Sequence, residues 1–401
     1  MPDFTYEIED IELAQQGLHR INWVRERMPV LGRIKEDFSR TRPFAGMRIG
    51  ICLHVEAKTG VWMDALTSGG AEVVITGWPG TTQDEVAAAL VAEYNVRVFA
   101  KRSETTNQHL DYVAKVLSTE PHLIADNGAE LHMLAHTNSD FSGAKAKLLG
   151  ATEETTTGGF RLREDIDEHI FPTLIINDTR AKRIVENRYG VGQSVLDGIM
   201  RCSNLLIGGK RVAVIGYGYC GQGIARALRG LGAHVTIVDI EPLTRLEAHL
   251  EGYHTAELEQ ALPVSDIVIT VTGRPGALKR DHLALMKDGA VICNAGAFEN
   301  EIDLPGLHAL ASEPHQIMPD IQKFKLDNGK IVYLFGRGNS INLSAGDGNP
   351  IEIMDLGLAL QSLSLAYLAT NGQSLPAGPQ NVPGEIENEV AVRTLRAWTR
   401  S

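Results

Sequence analysis

Apolar residues in the first 40 positions recur at helical spacing, at Ile11, Leu13, Leu18, Ile21, Val24 and Met28. That period predicts amphipathic helix there. The pattern then changes. Continuous apolar runs at 47–53, 72–76, 96–99 and 122–125 predict strands buried on both faces. Helical spacing returns between them, at 60–67 and again from Thr82 to Tyr94, where Thr82 and Glu85 read as a capping box. A second alternation follows, with strands expected near 211–215, 233–239, 266–272, 289–294 and 333–335. An apolar helix is expected at 351–368, after the break 346–350. A polar, Pro- and Gly-rich stretch at 371–384 leads to a short last helix. Two runs of alternating strands and helices predict an α/β protein with two doubly wound Rossmann-like domains.

Composition narrows the partners. A net charge of −12 over 401 residues argues against a nucleic-acid phosphate surface. Acidic residues appear from Asp3 onward, and no 18-residue uncharged apolar run occurs, so neither a signal peptide nor a membrane span is expected. Cys52, Cys202, Cys220 and Cys293 lie far apart with no metal-ligand spacing. They read as free thiols of a cytoplasmic protein, and no metal is expected.

The most specific local signal is Gly216-Tyr217-Gly218-Tyr219-Cys220-Gly221, between an apolar strand and a helix. Gly216 permits the tight turn, Gly218 lets backbone approach a pyrophosphate, and Gly221 lets helix and strand pack closely. The next strand ends on Asp239, about 20 residues on, where a carboxylate suits a ribose diol and disfavours a 2′-phosphate. The cofactor should therefore be NAD.

Further segments occur in a fixed order along the chain. They are Cys52-Leu53-His54, Glu153-Glu154-Thr155-Thr156-Thr157-Gly158, Asn177-Asp178 with Lys182, Asn187 with Tyr189-Gly190, Glu251-Gly252-Tyr253, and Ile341-Asn342-Leu343. Together, from about residue 45 to 370, the chain resembles S-adenosylhomocysteine hydrolase. The resemblance implies a split substrate domain, 1–180 and 350–375, an NAD-binding domain, 190–347, and a short C-terminal segment, 376–401. It implies an NAD that is reduced and reoxidised within each turnover, a small-molecule nucleoside substrate, and a homo-oligomer, tetramer or dimer. Thr155, Thr156, Thr157, Asn187, Thr272, Asn294 and Asn342 would line NAD beside the glycine loop and Asp239.

The same resemblance places His54 near the 5′ end as proton donor to the leaving group, Glu154 on the sugar hydroxyls and Lys182 at the 3′-hydroxyl. Glu186 stands where the family has Asp. Asn127 stands where the family has a catalytic Asp, and an amide cannot accept a proton as a carboxylate does. Ala297 and Asn349 replace histidines. Glu56 and Lys58, with Thr59, fall in the base pocket, where Lys58 reverses the family's charge. Retention of the redox residues beside loss at 127 and 297 predicts a nucleoside dehydratase that forms an unsaturated nucleoside, as in angustmycin-type antibiotics. The alternatives are hydrolysis of S-adenosyl-L-homocysteine and a non-catalytic NAD-binding regulator.

Overall fold

Strands β1 (Arg48–Cys52), β2 (Glu72–Thr76), β3 (Arg97–Phe99), β4 (Leu123–Asp126), β5 (Gly150–Glu153) and β6 (Pro172–Ile175) form a parallel sheet in the order β6-β5-β4-β1-β2-β3. The computed structural model describes residues 4–296, 299–311 and 314–399. The chain winds outward from β1 to β3, then returns to β4 on the other side of β1. That reversal opens a crevice beyond the carboxyl ends of β1 and β4, where doubly wound sheets bind ligands. His54 and Asn127 follow those two strands.

A second sheet is built from β7 (Arg211–Ile215), β8 (His234–Val238), β9 (His254–Thr255), β10 (Ile267–Thr270), β11 (Ala290–Asn294), β12 (His315–Met318), β13 (Ile321–Lys325) and β14 (Ile331–Phe335). Its order is β12-β13-β14-β11-β10-β7-β8-β9, parallel except for the β12–β13–β14 edge. The reversal here lies between β7 and β10, so the glycine loop after β7 and Thr272 after β10 flank the same crevice.

The last strand, β15 (Gly378–Asn381), returns to the first sheet and pairs with β6. Its sequence, Gly-Pro-Gln-Asn, has no apolar alternation, and Pro379 is tolerated because the strand lies at an edge. The stretch set apart as a C-terminal segment, 376–401, is therefore part of the first unit. Contacts divide the chain into Met1–Lys182 with Ile351–Ser401, and Arg183–Pro350.

Two helices, Ala14–Arg25 and Pro29–Thr41, account for the amphipathic N-terminal region, with Pro29 at the first position of the second. The helix Asp84–Tyr94 starts from Gln83 and has no side-chain cap, so the capping box expected at Thr82 and Glu85 does not form. The Thr82 hydroxyl donates instead to the Trp78 carbonyl. The apolar helix Ile351–Asn371 is a core element of the first unit, burying Leu356, Leu358, Leu360, Leu365 and Leu368. Each such side chain contributes roughly 1.5–3 kcal/mol by leaving water.

Candidate active site

In the first unit, the carboxylate of Glu154 is held from both sides. Lys182 Nζ is 3.1 Å from Oε1, and Asn127 Nδ2 donates to Oε2 at 3.2 Å. All three side chains are buried. A buried charge pair persists only where hydrogen bonds satisfy it, and these do. The expected trio of Asn127, Glu154 and Lys182 is thus brought into direct contact.

Beneath it lies a second layer of buried carboxylates. Asp126 and Glu153 are paired residues on β4 and β5. Asp126 accepts from the backbone of Asn127 and from His132 Nδ1 at 2.8 Å. Glu153 accepts from Gly128 N, Ala129 N, Thr155 N and Thr155 Oγ1. These bonds fix the backbone on both sides of Asn127 and Glu154. Burial first, then the Asp126 carboxylate, push Glu153 up to about 8. In a sequence, Glu153 cannot be told from Glu154; Glu153 closes β5 and accepts from the backbone of Gly128 and Ala129, while Glu154, just past the strand, meets Lys182 and Asn127. Glu387, on the C-terminal helix and in no recognisable motif, accepts from Ala181 N at 2.8 Å just before Lys182.

His54 lies between an aromatic wall and a hydroxyl. Nδ1 is 2.8 Å from Thr81 Oγ1, and the ring centroid is 6.3 Å from that of Trp78. Burial pushes the imidazole down to about 4, opposed by the Glu154 carboxylate and assisted by His109. Thr59 spends its hydroxyl proton on the His54 carbonyl at 2.8 Å, which fixes the loop. Glu56 and Lys58 form a buried ion pair of 2.8 Å at the start of the helix Ala57–Ser68. Glu56 Oε2 also accepts from Lys58 N.

The three threonines differ in their commitments. Thr155 caps the helix Thr156–Glu164 through Gly158 N. Thr156 donates to Asn177 Oδ1 at 3.1 Å, and Thr157 is buried. A π-helix, Lys182–Gly190, carries Lys182, Glu186 and Asn187. Such elements are rare and are frequently found at functional sites.

In the second unit, the glycine loop meets the demands of dinucleotide binding. Gly216 adopts φ +102°, a region open to glycine. A Cβ at Gly221 would lie 2.0 Å from Gly216 O, so only glycine permits that approach. A Cβ at Gly218 would meet nothing within 4 Å, which leaves open space above the turn. The helix Tyr219–Gly230 begins there and points its free N–H groups toward that space. Tyr219 is half-exposed beneath the Arg188 guanidinium, 5.3 Å away, and Cys220 is partly buried. Asp239 accepts from Tyr217 N and Glu241 N, and keeps further lone pairs for a diol.

Thr272 is gripped by Glu301, which accepts from its N and Oγ1 and from Gly273 N. Asn294 uses both ends of its amide on Thr270, Gly296 and Gly338, and so braces the turn after β11. Glu186, Asn349, Ser194 and Asn342 form a chain: Asn349 Nδ2 donates to Glu186 Oε1 at 3.2 Å, Ser194 Oγ donates to Asn349 Oδ1 at 2.9 Å, and Asn342 Nδ2 donates to Ser194 Oγ at 3.2 Å. Among the described residues, Asn342 Oδ1 is buried without a hydrogen-bond partner. A buried amide oxygen of that kind awaits a donor, which the carboxamide of a nicotinamide would supply. Asn187 is buried nearby in sequence to Glu186. Ala297 lies outside the described residues. Among the described residues the four cysteines are free thiols, with Cys52 and Cys293 buried.

A glycine loop at the reversal of one doubly wound sheet, and a buried Lys–Glu–Asn trio in another, define an NAD-dependent enzyme class. The chain belongs to the S-adenosyl-L-homocysteine hydrolase family: residues 5–143 match the family itself, and 187–348 match its NAD-binding domain. It is 44% identical over 396 residues to an S-inosyl-L-homocysteine hydrolase of Methanopyrus kandleri, covering 98% of this chain and 93% of that one. It is 40% identical over 395 residues to an adenosylhomocysteinase of Aquifex aeolicus, covering 98% and 94%. NAD is its cofactor.

Proposed function

We propose that this chain oxidises a nucleoside sugar hydroxyl, removes the proton beside the new ketone, expels the 5′ substituent and restores the hydroxyl. NAD, held by the glycine loop and Asp239, would supply the hydride acceptor and the hydride for the return step. The protein's own part is proton handling and positioning. The carrying observation is the buried contact of Lys182 and Glu154. The Glu154 carboxylate, oriented by Lys182 and Asn127, would accept hydrogen bonds from the sugar hydroxyls. Lys182 would take up and return the hydroxyl proton as the ketone forms and is reduced. A ribose C–H is not acidic until its neighbour is a ketone, so oxidation must come first.

The names of the relatives support adenosylhomocysteinase-like hydrolysis, with a thioether nucleoside as substrate and water added after elimination. A second reading is favoured by Asn127. The amide donates to Glu154 and has no proton-accepting carboxylate. That change supports elimination of a hydroxyl as water, with no re-addition, to give an unsaturated nucleoside.

Mass spectrometry after incubation with S-adenosyl-L-homocysteine, adenosine or psicofuranosyl adenine separates the two. Homocysteine release establishes hydrolysis and sinks the dehydratase. Loss of one water without thiol establishes dehydration. No turnover, with NAD bound and never reduced by substrate, would refute both in favour of a regulatory homologue.

A further inference from the structure

His54 follows β1, and its Nδ1 lies 2.8 Å from Thr81 Oγ1. The Thr81 hydroxyl has one proton, and that proton points to the Trp78 carbonyl oxygen at 3.0 Å. With that proton on the Trp78 carbonyl, Oγ1 meets Nδ1 with a lone pair, and the matching tautomer carries its hydrogen on Nδ1. That tautomer is assigned from the hydrogen-bond network, and it leaves Nε2 with a bare lone pair. Among the described residues, no hydrogen bond to Nε2 accompanies the one at Nδ1.

The surroundings hold that state. Trp78 stacks on His109 with centroids 4.7 Å apart, and His109 Nδ1 is 3.3 Å from Glu104 Oε1. His109 and Glu104 are buried. The loop bearing Trp78 has little freedom, because a Cβ at Gly77 would fall 2.3 Å from Thr82 Oγ1. The charged and titratable groups acting on His54 are Glu154 and His109; desolvation, with His109 on its side, outweighs the Glu154 carboxylate, so the ring is neutral near pH 7. A neutral imidazole with a bare Nε2 is poised to take a proton before it can give one.

We propose that His54 Nε2 is the base that removes the sugar C–H proton, the task that Asn127 cannot perform. This rests on the proposed oxidation–elimination reading. As the C–H bond breaks, its electron pair forms the enolate of the neighbouring ketone, and the proton moves to Nε2. The enolate pair then reforms the carbonyl and builds the new C=C bond while the bond to the 5′ substituent breaks. Nε2 passes the same proton to the departing oxygen or sulfur, which leaves as water or thiol. The imidazole ends neutral, and no further reactant is consumed. His54 thus acts first as base and only then as the proton donor to the leaving group.

Two measurements on the holoenzyme test this. Nitrogen NMR of histidine-labelled protein at pH 7, with the His54 signals identified by their loss in His54→Gln, should show hydrogen on Nδ1 and none on Nε2. Hydrogen on Nε2 would overturn the inference. In deuterium oxide with adenosine, the wild type should exchange the sugar C–H. His54→Gln should lose exchange by about 100-fold or more while adenosine still reduces the nicotinamide. Thr81→Val, which frees the ring to change tautomer, should slow exchange roughly 10-fold. Exchange retained in His54→Gln, with nicotinamide reduction intact, overturns this inference alone. No nicotinamide reduction in the wild type overturns the proposed function, and this inference with it.

Discussion

Asp355 accepts the backbone N–H of Leu31 at 2.7 Å, across 324 residues of sequence, and also that of Val30 at 2.9 Å. A side chain from the core helix Ile351–Asn371 thereby caps the helix Pro29–Thr41, which has no local cap of its own. Burial, working against these two hydrogen bonds, raises the Asp355 carboxyl from 3.8 to about 6.

The sign of the pH effect follows. A raised folded-state pKa means that the folded protein binds more protons between about pH 4 and 6. Holding Asp355 ionised therefore costs the fold on the order of 3 kcal/mol at neutral pH relative to its protonated form, and that cost fades as pH falls. Asp355→Ala should lose more stability relative to wild type at pH 5 than at pH 7.5. Urea melts at both values check this; a gap that is constant or narrows on acidification contradicts it.

Removing Lys182 leaves the Glu154 charge buried with only an amide beside it. Lys182→Met should cost about 3–5 kcal/mol of stability. It should retain NAD, whose loop belongs to residues elsewhere in the chain, and lose nicotinamide reduction by nucleoside. Absorbance of the bound nicotinamide on adding adenosine reads this directly. Turnover equal to wild type would refute the assigned role.

The two loop glycines should separate folding from cofactor binding. Gly218→Ala places its methyl in open space, so thermal stability of the apoprotein should change by less than about 0.5 kcal/mol while NAD affinity falls. Gly221→Ala collides with the Gly216 carbonyl and should lose both. Calorimetric titration with NAD, alongside apoprotein melts, distinguishes them. Unchanged NAD affinity in Gly218→Ala would show that no pyrophosphate approaches that turn.

Glu56 and Lys58 should couple strongly. Lys58→Met strands a buried carboxylate and should cost about 3–5 kcal/mol, whereas Glu56→Gln with Lys58→Met removes both charges and should recover most of it. A double-mutant cycle measures the coupling. Additive losses would mean that the pair is exposed to solvent and screened.

Much of this was readable along the chain. The apolar runs of β1, β2, β7 and β11 are long enough to stand out, and strands covered on both faces must be apolar throughout. The missed strands, β5, β6, β9, β12, β13 and β15, contain Gly, Thr, Gln or Pro. Their place depends on the neighbours that cover them. Asp355 and Glu387 were invisible for a similar reason, since each serves a backbone far away in sequence.

Local sequence alone determined the glycine turn, the acid at 239 and the family, because each depends on residue types at short fixed spacings. The fold alone could assign work to the side chains. It put Glu154 between Lys182 and Asn127, and sent Glu153 to the layer below. It spent the hydroxyls of Thr155 and Thr59, and the whole amide of Asn294, on the protein itself. It turned His54 so that Thr81 claims Nδ1. Hydrogen bonds between distant segments set these commitments, and no spacing rule encodes which of a residue's possible partners will be within 3 Å.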